Sequence, residues 1–157
     1  ISGRVTILDR IYGEYSQHLA QDTGDFVLKR RDGLFSYQLA SVIDDQFQGI
    51  THIIRGADLL ESSPRQVYLQ NCLGFNSVEY AHVPLVKNKC GQKLSKQNQA
   101  EPARVDKASA NLWSALSWLN QEPPRSIYGA PASEILAWAT SNWQFQNIRK
   151  KIKNTGT

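Results

Sequence analysis

Residues 50–86 read ITHIIRGADLLESSPRQVYLQNCLGFNSVEYAHVPLV, and this run decides the fold class. Ile50 to Ile54 is a short apolar stretch of the kind that fills a buried strand, and Arg55-Gly56 breaks it. Ser63-Pro64-Arg65-Gln66 reads as a capping box, with proline in the first turn where no amide donor is missed. Val67, Cys72 and Leu73 are the expected inner face of the helix that follows, and Gly74 stops it. Tyr80 to Val86 is the next strand, with Pro84 counting against its far end.

The same alternation extends upstream. Arg4 to Ile11 is apolar and β-prone, and Tyr12-Gly13 is a turn. Asp25 to Arg30, the tight turn Asp32-Gly33 and the extended Leu34 to Tyr37 predict a hairpin. Gln38 to Phe47 carries Leu39, Val42, Ile43 and Phe47 at helical spacing, and Gly49 ends it. Downstream the character changes. Lys87 to Lys96 is a polar loop, then Asp106 to Leu119 presents Ala108, Leu112, Leu116 and Leu119 on one face until Pro123-Pro124. Ser133 to Trp143 is a further helix, and Trp113, Trp118 and Trp138 are expected in the core of this helical part. Strands alternating with helices, then helices alone, argue for an α/β domain over residues 1–100 and a helical subdomain with a basic tail over 101–157.

Composition bounds the function classes. The chain has 157 residues, a net charge of +4, and 41% apolar and 20% charged residues, which is globular and neither disordered nor fibrous. No apolar run approaches the roughly 20 residues of a membrane span, so no membrane partner is expected. Cys72 and Cys90 form no C-x-x-C, and no histidine stands at ligand spacing, so no metal site is expected within the chain. Two scattered thiols fit a reducing cytoplasm, and Cys72 is expected as a buried small hydrophobe. There is no methionine and the first residue is Ile1, which fits a portion of a longer protein cut at its N-terminus. Lys87, Lys89, Lys93 and Lys96, and Arg149, Lys150, Lys151 and Lys153, are basic clusters of the kind that meet phosphates.

In open α/β sheets ligands lie beyond the carboxyl ends of the strands, which points to Arg55 and to the loop after Val86. In that loop, Gly91-Gln92-Lys93-Leu94-Ser95-Lys96-Gln97 puts two lysines beside a glycine hinge. Such a loop can close over a polyphosphate and stabilise the charge of departing pyrophosphate. Asp44-Asp45 reads as helix-end polar groups and His52 as a structural histidine. His18, His52 and His82 are scattered, with no nucleophile motif to make a Ser/His/Asp site.

Lys93-Leu94-Ser95-Lys96-Gln97 resembles the KMSKS signature loop of class I aminoacyl-tRNA synthetases. Residues 25–33, Tyr37-Gln38-Leu39-Ala40, Val42-Ile43-Asp44-Asp45, residues 49–56 and His82-Val83-Pro84-Leu85 are similar to the glutamyl branch, in the right order. Arg55-Gly56-Ala57-Asp58-Leu59-Leu60, the final Gln97, Glu134-Ile135-Leu136 and Asn142-Trp143 look more like the shortened glutamyl-queuosine tRNA(Asp) synthetases. The resemblance implies the second half of a Rossmann-type catalytic domain. It implies activation of glutamate with ATP, accompanied by Mg, and transfer to the queuosine base of tRNA(Asp) by a cytoplasmic monomer. It implies Tyr37 and Arg55 as glutamate ligands, Lys93, Leu94, Ser95, Lys96 and Gln97 as the ATP-binding loop, and Lys93 and Lys96 as its catalytic cations. A guanidinium fork suits a carboxylate, and a phenol adds a directional hydrogen bond. The HIGH-like ATP motif and the zinc-binding insertion of these enzymes do not occur in residues 1–157, so this portion alone is expected to be inactive in glutamate activation. The alternatives are a portion of an ordinary glutamyl-tRNA synthetase and a basic, non-catalytic tRNA-binding module.

Overall fold

The computed structural model describes residues 3–88, 90–95 and 102–148. The chain forms two compact units, Ile1–Val83 and Pro84–Thr157. The division falls where Pro84 ends the last strand, ahead of the boundary after residue 100 that composition suggests.

The first unit is built on a four-stranded sheet. Its strands are β1 (Arg4–Asp9), β2 (Gly13–His18), β3 (His52–Gly56) and β4 (Glu79–Val83), in the order β2-β1-β4-β3. β1 and β2 form an antiparallel hairpin, whereas β4 runs parallel to both β1 and β3. Gly13 makes the hairpin turn possible by taking φ 84°, the left-handed region open to glycine. β2 was not legible in the sequence: Gly13–His18 is largely polar, and as the edge strand it has no need of an apolar face. β3 starts and ends two residues later than the apolar run suggests. Arg55 and Gly56 therefore belong to the strand, paired with His82 and Val83, rather than breaking it.

The remaining elements are α1 (Leu19–Asp22), α2 (Tyr37–Phe47) and α3 (Ser63–Leu73), the last preceded by a 3-10 segment over Ala57–Ser62. The hairpin expected around Asp32-Gly33 shrinks to a single bridge, Lys29 to Phe35, tied by Arg30 N–H to Leu34 O and Ser36 N–H to Leu28 O. Of the stripe predicted on α2 only Val42 is fully buried, and Phe47 is 91% exposed. The inner face of α3 is also different from the reading. Ser63, Pro64, Gln66, Leu69 and Gln70 are buried, while Cys72 and Leu73 are exposed. The α3 C-terminus is as read, with Gly74 left-handed at φ 69°.

Strand alternation turns Ile7, Asp9, Arg55, Tyr80 and His82 to the face that meets α3. Leu8 and Ile54 point to the other face and are 78% and 72% exposed. Parallel strands ordinarily have both faces covered, so this side of the sheet offers apolar surface.

The second unit holds a small bridge between Lys87 and Lys93, then α4 (Ala108–Trp118) and α5 (Ala132–Asn142). Both helices match the sequence expectation. α4 ends before the two prolines, because Asn120 turns the chain at φ 62°. Leu116, Ile127, Ile135 and Ile148 make the core. Trp113, Trp118 and Trp138 are only half-buried and rim that core rather than fill it. Buried Gln121 fastens the end of the unit. Its amide donates to Leu119 O and Gln144 O, and its Oε1 accepts from Gln144 N–H.

Candidate active site

The carboxyl ends of the three parallel strands bring Asp9, Arg55 and His82 together. Each comes from a different strand, and none is near another in sequence. The strand-end rule pointed to Arg55, which does lie at a strand end, and it applies equally to Asp9 and His82, which the sequence reading left without a role.

Arg55 is the hub. Its Nε–H donates to His82 Nε2 at 3.0 Å, and its Nη2 donates to Ser63 Oγ and Gln66 Oε1, both at 2.8 Å. A longer contact runs from Nη2 to Leu59 O at 3.4 Å. None of these bonds uses Nη1. The guanidinium also lies over the Tyr80 ring, 5.4 Å from its centroid, a cation–π placement. The expected two-pronged grip on a carboxylate is therefore not available from the Nε–Nη2 edge, which is committed to the protein. Nη1 is the end left for a ligand.

Ser63 and Gln66 account for the fate of the predicted capping box. The N-cap of α3 is Ser62, and no side chain caps it. Ser63 Oγ instead meets Arg55, His82 Nε2 and Leu59 O, and Gln66 spends its oxygen on Arg55 and its amide on Ser41 Oγ of α2. Gln38 of α2 reaches Ser62 Oγ in the same seam. A box pattern was present, but its polar atoms serve tertiary partners.

Asp9 and His82 lie wholly out of water, with Asp9 Oδ2 2.7 Å from His82 Nδ1. The same Oδ2 accepts from the His82 backbone N–H, and Oδ1 accepts from the N–H groups of Ile11 and Tyr12. Burial alone would push this carboxyl up. The bonds from His82, Tyr12 and Ile11 outweigh burial, and Asp9 ends below the usual carboxylate value.

Tyr37 is the first residue of α2, not the last of a strand, and its ring is 54% exposed. The Tyr80 hydroxyl is pushed up chiefly by burial. Arg55 opposes that shift, while the charges of Asp45 and Tyr37 add to it. Asp45 is itself raised by burial, with Arg55 opposing. Asp45 thus sits close to the site rather than acting only as a helix-end polar group.

In the second unit the lysine loop is entered through a compact turn. Asn88 Oδ1 accepts from the N–H groups of Cys90 and Gln92, Gly91 takes φ 78°, and Leu94 N–H bonds Val86 O. This places Lys93 and Leu94 exposed on the strand-like return, with Ser95 after them. Lys96 and Gln97 lie outside the described residues. Among the described residues no group of three His, Cys, Asp or Glu side chains could hold a metal ion, and no helix is long and apolar enough to cross a membrane.

The charges divide between the units. The first holds seven Lys and Arg against ten Asp and Glu, the second eleven against four. The modest overall excess of +4 hides a strongly basic second unit.

Comparison with known proteins agrees with this architecture. The chain is 47% identical over 150 residues to a glutamyl-Q tRNA(Asp) synthetase of Dechloromonas aromatica, covering 96% of this chain and 50% of that protein. It is 51% identical over 144 residues to the protein of the same name from Thiobacillus denitrificans, covering 92% and 48%. The Pseudomonas aeruginosa protein of that name is 50% identical over 141 residues, covering 90% and 48%. The chain thus spans about half the length of the curated relatives it matches. Two crystal structures share its fold. One is a glutamate-tRNA synthetase from Elizabethkingia anophelis (TM-score 0.69, 23% identity, 96% of this chain and 34% of that one). The other is a glutamate tRNA ligase from Elizabethkingia meningosepticum in complex with its amino acid (TM-score 0.70, 23% identity, 96% and 33%). The family of class I tRNA synthetases (E and Q), catalytic domain, matches residues 2–124, and with the α/β sheet that carries Arg55 at its strand ends, the chain belongs to that family.

Proposed function

We propose that this chain supplies one wall of the glutamate pocket and the lysine loop of a ligase that activates glutamate with ATP and attaches it to the queuosine base of tRNA(Asp). The observation that carries this reading is the 47–51% identity to relatives named glutamyl-Q tRNA(Asp) synthetase, over nearly the whole of this chain. The site is chemically compatible with it. Arg55 Nη1 would meet a carboxylate of glutamate at the strand ends, with Tyr37 adding a hydrogen bond from the first turn of α2. A carboxylate oxygen of glutamate not held by Arg55 would attack the α-phosphorus of ATP, and the bond to the leaving pyrophosphate would break, giving the glutamyl adenylate. Lys93 and Lys96 would hold the charge that develops on that pyrophosphate, and Leu94, Ser95 and Gln97 would shape the loop around it. Mg would travel with the nucleotide phosphates. The basic second unit fits an RNA substrate held partly by phosphate contacts.

The test compares tRNA(Asp) and tRNA(Glu), each with and without queuosine, as glutamate acceptors for the full-length protein that carries this chain. The expected product is tRNA(Asp) glutamylated only when queuosine is present. Charging of tRNA(Glu) at its 3′ end would instead make this an ordinary glutamyl-tRNA synthetase. Salt-dependent tRNA binding with no glutamate dependence would make it a non-catalytic RNA-binding module.

A further inference from the structure

Behind Arg55 stands a buried pair that the activity itself does not call for. Asp9, His82 and Ser63 lie in line, with 2.7 Å from Asp9 Oδ2 to His82 Nδ1 and 3.1 Å from His82 Nε2 to Ser63 Oγ. The spacing is that of a nucleophilic triad, but the surroundings exclude that role. Ser63 has no exposure to solvent, and its oxygen already accepts from Arg55 Nη2. No substrate carbonyl can reach it.

The protons in the cluster can be placed by elimination. Asp9 is ionised, since its carboxyl is held below the usual value and accepts from three backbone N–H groups. His82 Nδ1 therefore carries a hydrogen and donates it to Asp9. The neutral ring then has a bare lone pair on Nε2, and guanidinium nitrogens can only donate. Arg55 Nε–H fills that lone pair. Ser63 Oγ accepts from Nη2, and its own hydrogen has His82 Nε2 at 3.1 Å and Leu59 O at 3.3 Å as acceptors. With Nδ1–H given to Asp9, Nε2 is free to accept from Arg55. The other tautomer of His82 would set two N–H groups against each other.

We propose that Asp9 and His82 are the positioning residues of the glutamate site: Asp9 fixes the His82 tautomer, and Nε2 anchors the Nε edge of Arg55 so that Nη1 faces the ligand carboxylate. This rests on the reading of Arg55 as a glutamate ligand. A guanidinium held at one edge by the protein keeps its ligand-facing end in place without the substrate having to order it. Without the anchor, Arg55 keeps its charge but loses its aim.

Two substitutions separate the two halves of the imidazole. In H82N the side-chain amide occupies the place of Nδ1 and can still donate to Asp9, but nothing reaches Arg55 Nε. In H82Q the amide oxygen reaches the place of Nε2 and can accept from Arg55, but Asp9 loses its side-chain donor. Glutamate-dependent ATP–pyrophosphate exchange by the full-length protein is measured together with thermal unfolding. H82N is expected to raise KM for glutamate about tenfold or more, with kcat at saturating glutamate within about threefold of wild type and a lowered Tm, because Arg55 Nε loses its buried acceptor. H82Q is expected to keep KM within about threefold while lowering Tm. R55A, measured alongside, is expected to raise KM for glutamate by more than H82N does. The proton resonance of Arg55 Nε–H, protected from exchange by its buried acceptor, is expected in wild type and H82Q and absent in H82N. This readout holds even where a variant's activity is too low to measure. Equal KM in H82N and wild type, with R55A impaired, overturns the positioning role and leaves the glutamate reading standing. An unchanged KM in R55A overturns that reading, and the positioning role with it.

Discussion

Asp9 should be among the least replaceable side chains of the first unit, and the structure allows the loss to be sized. Its two oxygens accept from four N–H groups: Ile11, Tyr12, the His82 backbone and His82 Nδ1, at 2.7–3.0 Å. The carboxylate thereby joins the end of β1 to the tight turn after it and to β4. In Asp9→Asn, one oxygen becomes an NH2 group that can only donate. Whichever way the amide turns, it faces two N–H groups and leaves both unsatisfied. A buried unsatisfied donor costs about 1–3 kcal/mol, so with two of them the substitution should cost about 2–6 kcal/mol. Domains of this size hold about 5–15 kcal/mol in all, so a loss of that order is a large share of what keeps the unit folded. The assay is urea denaturation followed by far-UV circular dichroism, where the midpoint should fall with little change in slope. The pH dependence gives an independent check. Because the folded carboxyl lies below the ordinary value for an aspartate, its contribution is fully present above that ordinary value and is lost as pH falls through the lower, folded one. Wild type should therefore lose stability in that acid range, and Asp9→Asn should lose correspondingly less there. A variant within about 0.5 kcal/mol of wild type at neutral pH would refute the claim that this carboxylate holds the strand ends together.

Other outcomes follow from single contacts. Gln66→Glu would set a carboxylate 2.8 Å from Arg55 Nη2, so glutamate binding should weaken at least about tenfold from competition for the same cation, read as KM in pyrophosphate exchange. Lys93→Ala should lower the exchange rate of the full-length protein at least about a hundredfold while leaving Tm near wild type, since Lys93 is exposed; an unchanged rate would remove Lys93 from the proposed catalytic pair. Gly74→Ala should destabilise by about 1 kcal/mol through backbone strain alone, because φ is 69° and a Cβ would meet nothing within 4 Å, measured as a urea midpoint. Cys72 and Cys90 are both exposed, so a thiol reagent should titrate both without denaturant; only one fast thiol would restore the buried Cys72 that the sequence suggested.

How far the sequence could be read depended on what each face of an element had to do. α4 and α5 were legible because their packing is apolar and local, with Leu116 buried where the spacing put it. β1, β3 and β4 were legible as apolar runs, but their ends were not, since Arg55 and Gly56 extend β3 only because β4 is there to pair with them. β2 left no trace, as an edge strand needs only one partner and can stay polar. Arg55 and Tyr37 came from resemblance and Arg55 also from the strand-end rule, whereas the pairing of Asp9 with His82 joins residues 73 apart. No spacing rule reaches that far.

The misreading of α3 shows why the polar cluster stayed hidden. A helix that packs on a sheet is expected to bury an apolar stripe, and Val67, Cys72 and Leu73 were the residues expected to form it. The buried set is instead Ser63, Pro64, Gln66, Leu69 and Gln70, of which three are polar and bonded across to Arg55, His82, Ser41 and Tyr80. A helix whose inner face must hold an arginine cannot also be greasy there. Burying a guanidinium edge without acceptors would cost several kcal/mol, so each Nε and Nη2 hydrogen has to be matched. The polar residues that supply the acceptors break the very periodicity by which the helix would be recognised. Apolar patterning fails on α3 for the same reason that Arg55 can stand at the strand ends as a fixed cation. A local conflict of this kind, in an element otherwise well capped by Gly74, is itself a pointer to where a fold has been shaped for binding rather than for stability.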